Sequence, residues 1–160
     1  MSHMPVDHPL RGFYRGLAGL TGVAAIGYGA VTLIQTSGND FFDHTGETVL
    51  GLKANPAGGV LWLIIGAVAL ITSLVGRNLD TKVNIVFGPL VCVVGTIGLC
   101  LIRTSDNVLA SSVTNVCALY VVGTILLTAS LYTGTSSAAT TRRPTAARSA
   151  DAREPATAAH

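Results

Sequence analysis

Charge is scarce in this chain. Lys, Arg, Asp and Glu make up 11% of its 160 residues, where an ordinary soluble domain carries about a quarter. Aromatic residues are also few, at 6% with a single tryptophan, while 49% of the residues are apolar. So little charge cannot cover the surface of a soluble globule, and the composition points to a membrane protein. The formal charge of +2 gives no reason to expect a nucleic-acid partner.

Catalytic and ligating patterns are missing as well. The three cysteines, Cys92, Cys100 and Cys117, form neither a CxxC pair nor a Cys/His cluster at metal spacing. They read as small apolar packers. There is no Gly-rich phosphate loop, nucleophile elbow or HExxH motif. No apolar stretch has Asp, Glu, Lys, Arg or His near its middle. An intramembrane charge costs about 2.5–3.5 kcal/mol on insertion scales and persists where function needs it. Its absence argues against a proton pump, an ion-coupled transporter or a haem protein with histidine ligands in the membrane. His3, His8, His44 and His160 all lie outside the apolar stretches. The expectation is therefore a non-enzyme without cofactor or metal.

What the chain does have is four apolar stretches, each close to the length of a membrane crossing. They run over about 16–35, 59–75, 83–102 and 112–131. The fold class is all-α: a polytopic membrane protein with four transmembrane helices. The first is preceded by Arg11 and Arg15 and reads as an uncleaved signal anchor, because its apolar run is longer than a signal-peptide core. Asn55-Pro56 marks the start of the second, where proline fits the first helical turn. Trp62 and Tyr132 read as interface anchors, and Pro89 predicts a kink inside the third stretch. Thr72 and Ser73 are placed to bond back to carbonyls of their own helix.

Glycine is abundant, with 18 residues. In water each would weaken a helix by about 1 kcal/mol relative to alanine. In lipid the helix is enforced, since every backbone polar group must pair internally. Small residues four apart then permit close helix approach. Gly16, Gly19, Gly22, Gly29, Gly88 and Gly95 are the candidate helix-packing residues, within the chain or at a homodimer face. Asn84 and Asn115 are the candidate polar interior contacts. Asn115 is expected to bond across to a neighbouring helix.

The 36–57 loop is the longest between spans. Asp40, Asp43, His44 and Glu47 within it read as solvated side chains, with partner binding or gating as the sharper role; Phe41 and Phe42 are expected to dip into the membrane interface. Residues 1–15 form a short polar N-terminus. Residues 133–160 contain no large apolar side chain and are predicted to be a disordered basic tail, its arginines near anionic lipid headgroups. Eight of the ten Lys and Arg residues fall in the N-terminus, the 76–82 hairpin and this tail. The positive-inside rule places both termini in the cytoplasm, with the plasma membrane as location.

Spans one and three share a glycine spacing of seven, Gly22 to Gly29 and Gly88 to Gly95. Both start on the same side, which predicts two parallel helix-hairpin repeats related by an axis along the membrane normal. With Gly-Leu-Lys-Ala-Asn-Pro at 51–56 leading into span two and an apolar pattern ending at Gly66, residues 12–132 resemble an actinobacterial family of four-helix integral membrane proteins, one catalogued as a domain of unknown function. Members of that family carry histidines just after the Asn-Pro. Gly58 and Trp62 stand there in this chain, so no role of those histidines carries over, and the resemblance implies no activity.

Two functional classes remain. One is an accessory or scaffold subunit, recognised by a membrane-protein partner through lipid-embedded faces. The other is a small homo-oligomeric channel or exporter for an uncharged or small solute, with Asn84, Asn115 and threonines facing a shared lumen.

Overall fold

The computed structural model describes residues 9–44, 47–76 and 78–134. The expected N-terminal segment up to residue 8 and the tail from residue 135 lie outside these. Four α-helices carry the fold: α1 Arg11–Gln35, α2 Pro56–Val75, α3 Leu79–Leu101 and α4 Val113–Tyr132. All four are long and apolar enough to cross a membrane. They form two antiparallel hairpins, α1 on α2 and α3 on α4, which meet each other through the lighter α1–α4 and α2–α3 seams.

Three helices begin earlier than hydropathy alone indicates, α1 at Arg11, α2 at Pro56 and α3 at Leu79, while α4 begins at Val113, one residue late. Helix α2 has Asn55 as N-cap, its side chain accepting from Gly58 N at 2.8 Å, and Pro56 follows in the first turn. Helix α4 repeats the device with Ser112 accepting from Asn115 N. Helix α3 is assigned as one helix through Pro89. Thr72 and Ser73 donate back to Val68 O and Leu70 O.

Residues 36–55 are not a featureless loop. They hold a small antiparallel ribbon, β1 Glu47–Val49 and β2 Leu52–Ala54, pairing Glu47 with Ala54 and Val49 with Leu52. Leu50 and Gly51 make the two-residue turn, both at positive φ (51° and 86°), the conformation that matches strand twist in tight hairpins.

Each hairpin has a reciprocal glycine crossing, and the first has a further close approach of Gly29 to Gly59 O, 2.8 Å from where a Cβ would lie. A Cβ added to Gly66 would lie 2.6 Å from Gly22 O, and one added to Gly22 2.9 Å from Gly66 O. In the second hairpin a Cβ on Gly88 would meet Gly123 O at 2.7 Å, and one on Gly123 would meet Gly88 O at 2.7 Å. Only a missing side chain lets the backbones come this close.

The two hairpins are the same object built twice. Moving α1 by 66 positions onto α3 superposes its buried residues Ala18, Gly22, Ala25, Gly29 and Thr32 on Asn84, Gly88, Val91, Gly95 and Gly98, all buried. Moving α2 by 57 onto α4 superposes Gly59, Trp62, Gly66, Ala69, Thr72 and Ser73 on Val116, Leu119, Gly123, Leu126, Ala129 and Ser130, again all buried. Asn55 falls on Ser112, so even the caps coincide. The two shifts differ by nine residues, the extra length of the first loop, which holds the β-ribbon.

The crossings give a direct test. Gly66→Leu or Gly123→Leu forces the backbones apart, an overpacking cost of about 1–3 kcal/mol. Gly16 and Gly27 face open space, so Gly16→Ala and Gly27→Ala leave stability unchanged or slightly raised. Thermal unfolding of the detergent-solubilised protein, followed by size-exclusion fluorescence, separates the two classes.

Candidate functional site

The polar groups of the bundle gather at its two ends, and a groove lies along one seam. At the loop end, Asn55 is the central residue. Its Oδ1 caps α2, while its Nδ2 donates to Asp43 O at 3.0 Å and Val108 O at 2.8 Å. One side chain thus ties α2, the first loop and the second loop together. Nearby, Asn115 Nδ2 donates to Lys53 O of β2, and Asn115 Oδ1 accepts from Ser112 Oγ. Asn107 closes the second loop through Ser111 N and O, and His44 Nδ1 lies 3.3 Å from Asn107 O. The neighbouring Phe41 and Phe42 are half exposed and set edge-to-face, their centroids 4.8 Å apart.

At the opposite end, the arginines of α1 hold helix C-termini. Arg15 Nε donates to Ser73 O and its Nη2 to Leu74 O at 2.7 Å; Arg11 Nε donates to Thr133 O at 3.0 Å. Cations there meet the negative end of each helix dipole and its unpaired carbonyls. Tyr14 stacks on Tyr132 with centroids 4.6 Å apart. Asp80 sits among these groups, 1% exposed; its Oδ1 accepts from Thr81 N at 2.9 Å and its Oδ2 has no partner among the described residues. One turn on, Asn84 Oδ1 lies 3.4 Å from Thr72 Oγ1 of α2, and Thr81 Oγ1 lies 3.0 Å from Thr133 Oγ1.

Along the α1–α4 seam runs a groove of about 420 Å³. Its walls come from α1 and α4, Trp62 of α2 closes it at depth, and Leu50 and Leu52 of the β-ribbon reach over it. Tyr28 and Trp62 meet edge-to-face in its wall, centroids 5.4 Å apart. The Tyr28 hydroxyl is buried, facing Thr32 one turn on.

The structure sorts the expected residues. Gly22, Gly29 and Gly88 lie at close backbone contacts; Gly19 packs on Ser73 Oγ and Gly95 on Leu119. Gly16 touches nothing within the chain. Asn84 does bond across to a helix, but Asn115 reaches the β2 backbone instead of a helix, because its position just inside α4 sets it beneath the ribbon. Trp62 is not an interface anchor: at 7% exposure it belongs to the core cluster with Ala25, Ile65, Val91 and Leu119. The outward faces of the helices are apolar, so the indole has its best packing in the seam between the hairpins. No three of the His, Cys, Asp and Glu side chains among the described residues are grouped to hold a metal ion.

Asp80 was hidden in the sequence because Arg-Asn-Leu-Asp-Thr-Lys reads as a hairpin. Its signal is spacing: 80, 84, 88, 91, 95 and 98 form one continuous helical stripe. Asn55 was visible as a helix start, but its two links to distant loops have no local sequence trace.

No family model matches the chain, and no curated protein or solved structure matches it.

Asn55 carries the loop-end prediction. Asn55→Ala removes the cap, a loss of about 0.5–2 kcal/mol, together with both loop ties. Asn55→Asp keeps an acceptor for Gly58 N and still destabilises, because it turns a carboxylate toward Asp43 O and Val108 O. An Asp variant as stable as the parent in thermal unfolding would reduce Asn55 to a helix cap.

Proposed function

We propose that this protein is a non-enzymatic accessory or scaffold subunit of a membrane complex, and that it belongs to the actinobacterial four-helix family it resembles. It resides in the plasma membrane with both termini cytoplasmic, and its basic tail lies near anionic headgroups. The observation that carries the reading is the placement of the two span asparagines. Asn84 and Asn115 are 1% and 7% exposed, stand at opposite ends of the bundle, and are bonded inside the subunit. They are spent on holding helices and loops, which takes both asparagines away from the lining of a shared lumen and leaves only hydroxyls such as Thr96 and Thr124 on the outer faces. What remains for recognition is the apolar outer face of each helix, together with the loop end.

The orientation draws support from the arginine end. Arg11 and Arg15 cap helix C-termini on the side of the α2–α3 turn, the side on which the positive-inside rule places the cytoplasm.

Native membranes extracted in a mild detergent test the assignment. The expected result is co-elution of the tagged chain with a second polypeptide at fixed stoichiometry, and a homo-oligomer or lone chain overturns it. For orientation, a fluorescent-protein fusion at the C-terminus is expected to fluoresce and an alkaline phosphatase fusion there to be inactive. The reverse pattern inverts the topology.

A further inference from the structure

The repeat supplies an internal control for the groove on the α1–α4 seam. The same shifts that superpose the hairpins carry this seam onto the α2–α3 seam on the other side of the bundle. Thr21, Ala24 and Ala25 of α1 fall on Phe87, Leu90 and Val91 of α3. Ala118 of α4 falls on Leu61 of α2. On the second side, Phe87, Leu61 and Val94 pack against the central core cluster. On the first side, the small residues leave about 420 Å³ open. Volume is not simply lost there. Tyr28 and Trp62 stand where the mate has Val94 and Leu119, so the hollow is a channel of small residues leading to an aromatic floor.

The one insertion that breaks the repeat lies over this same side. The nine extra residues of the first loop hold the β-ribbon, and its Leu50 and Leu52 join the groove wall. Leu50 is 74% exposed and held at φ 51°. A large apolar side chain in that conformation is costly. The two-residue turn sets that backbone and leaves the apolar side chain at the mouth of the groove.

From this we infer that the groove is a binding site for a membrane lipid, taking one acyl chain sideways from the bilayer, with the ribbon as its roof. Three features select this occupant. The groove opens sideways between helices that cross the membrane, with Leu20 at its edge 66% exposed, so what enters comes from the bilayer. The lining carries no charge and only two side-chain hydroxyls, Thr21 and Tyr28, so what it holds is hydrocarbon. The volume falls in the range of sites that enclose one small-molecule ligand, about 300–1,000 Å³, which is too little for a partner helix. The inference stands apart from the accessory reading, since it needs only the purified chain.

Trp62, the only tryptophan, reports on the groove. The full chain in detergent is titrated with a phospholipid bearing brominated acyl chains, and Trp62 emission is read. The expected result is saturable quenching that ends near one lipid per protein. The variant Thr21→Phe/Ala24→Leu/Ala118→Leu installs the residues that the second hairpin side already accommodates; it is expected to lose the saturable component. Leu50→Gly removes the roof while relieving the positive φ, so it keeps the fold and is expected to weaken the quenching. Circular dichroism and elution volume confirm folding of each variant. Quenching that rises without saturation overturns the inference, as does a saturable component unchanged in the folded variants. Should the triple variant fail to fold, Leu50→Gly alone decides.

Discussion

Backbone-to-backbone approach at two glycine crossings holds this protein together. Between helices in lipid there is no hydrophobic drive, because the acyl chains are as apolar as leucine. Association then depends on dispersion over short distances, and these fall off steeply once backbones separate. Gly22 against Gly66 and Gly88 against Gly123 bring carbonyl oxygens to where a Cβ would be. Around each crossing the buried residues follow one stripe per helix. The hairpins come first in the energetic order, and the seam between them second.

Polar bonds then fix what glycine packing leaves free. Two helices that touch at a point can still slide or splay. The asparagine bonds at the loop end and the arginine bonds at the other end pin both ends of the hairpins. Most of them join a side chain to a backbone carbonyl, an acceptor that any sequence offers. Interhelical hydrogen bonds in membranes are modest individually, on average about 0.6 kcal/mol, so their value is in setting register.

The four helices, their pairing and the repeat were legible in the sequence because lipid leaves few options: a long apolar run must be a helix, and glycine spacing marks its contact face. The glycine pair spaced by seven lies on the buried stripe of both α1 and α3. Other features were not legible for physical reasons. Asp80 is polar and lies beside a turn, so hydropathy placed it outside the span, although it lies on the packed stripe of α3. Trp62 has the amphipathic ring of an interface residue, and only the meeting of two hairpins shows that it faces inward. The β-ribbon has three-residue strands, too short for alternation to register. Asn115 was recognised as a polar contact, but its partner is a carbonyl 62 positions away, a pairing that no local pattern encodes.

The equal burial stripes of the two hairpins have a further consequence. Two copies of one hairpin, inserted into a bilayer with the same orientation, can pair symmetrically only about an axis normal to the membrane. The three-residue connection 76–78 joins the end of the first hairpin to the start of the second on one side of the bundle. Joined in one chain, the halves need not be identical: the first carries a ribbon in its loop and the second does not, an asymmetry that a dimer of identical hairpins cannot have.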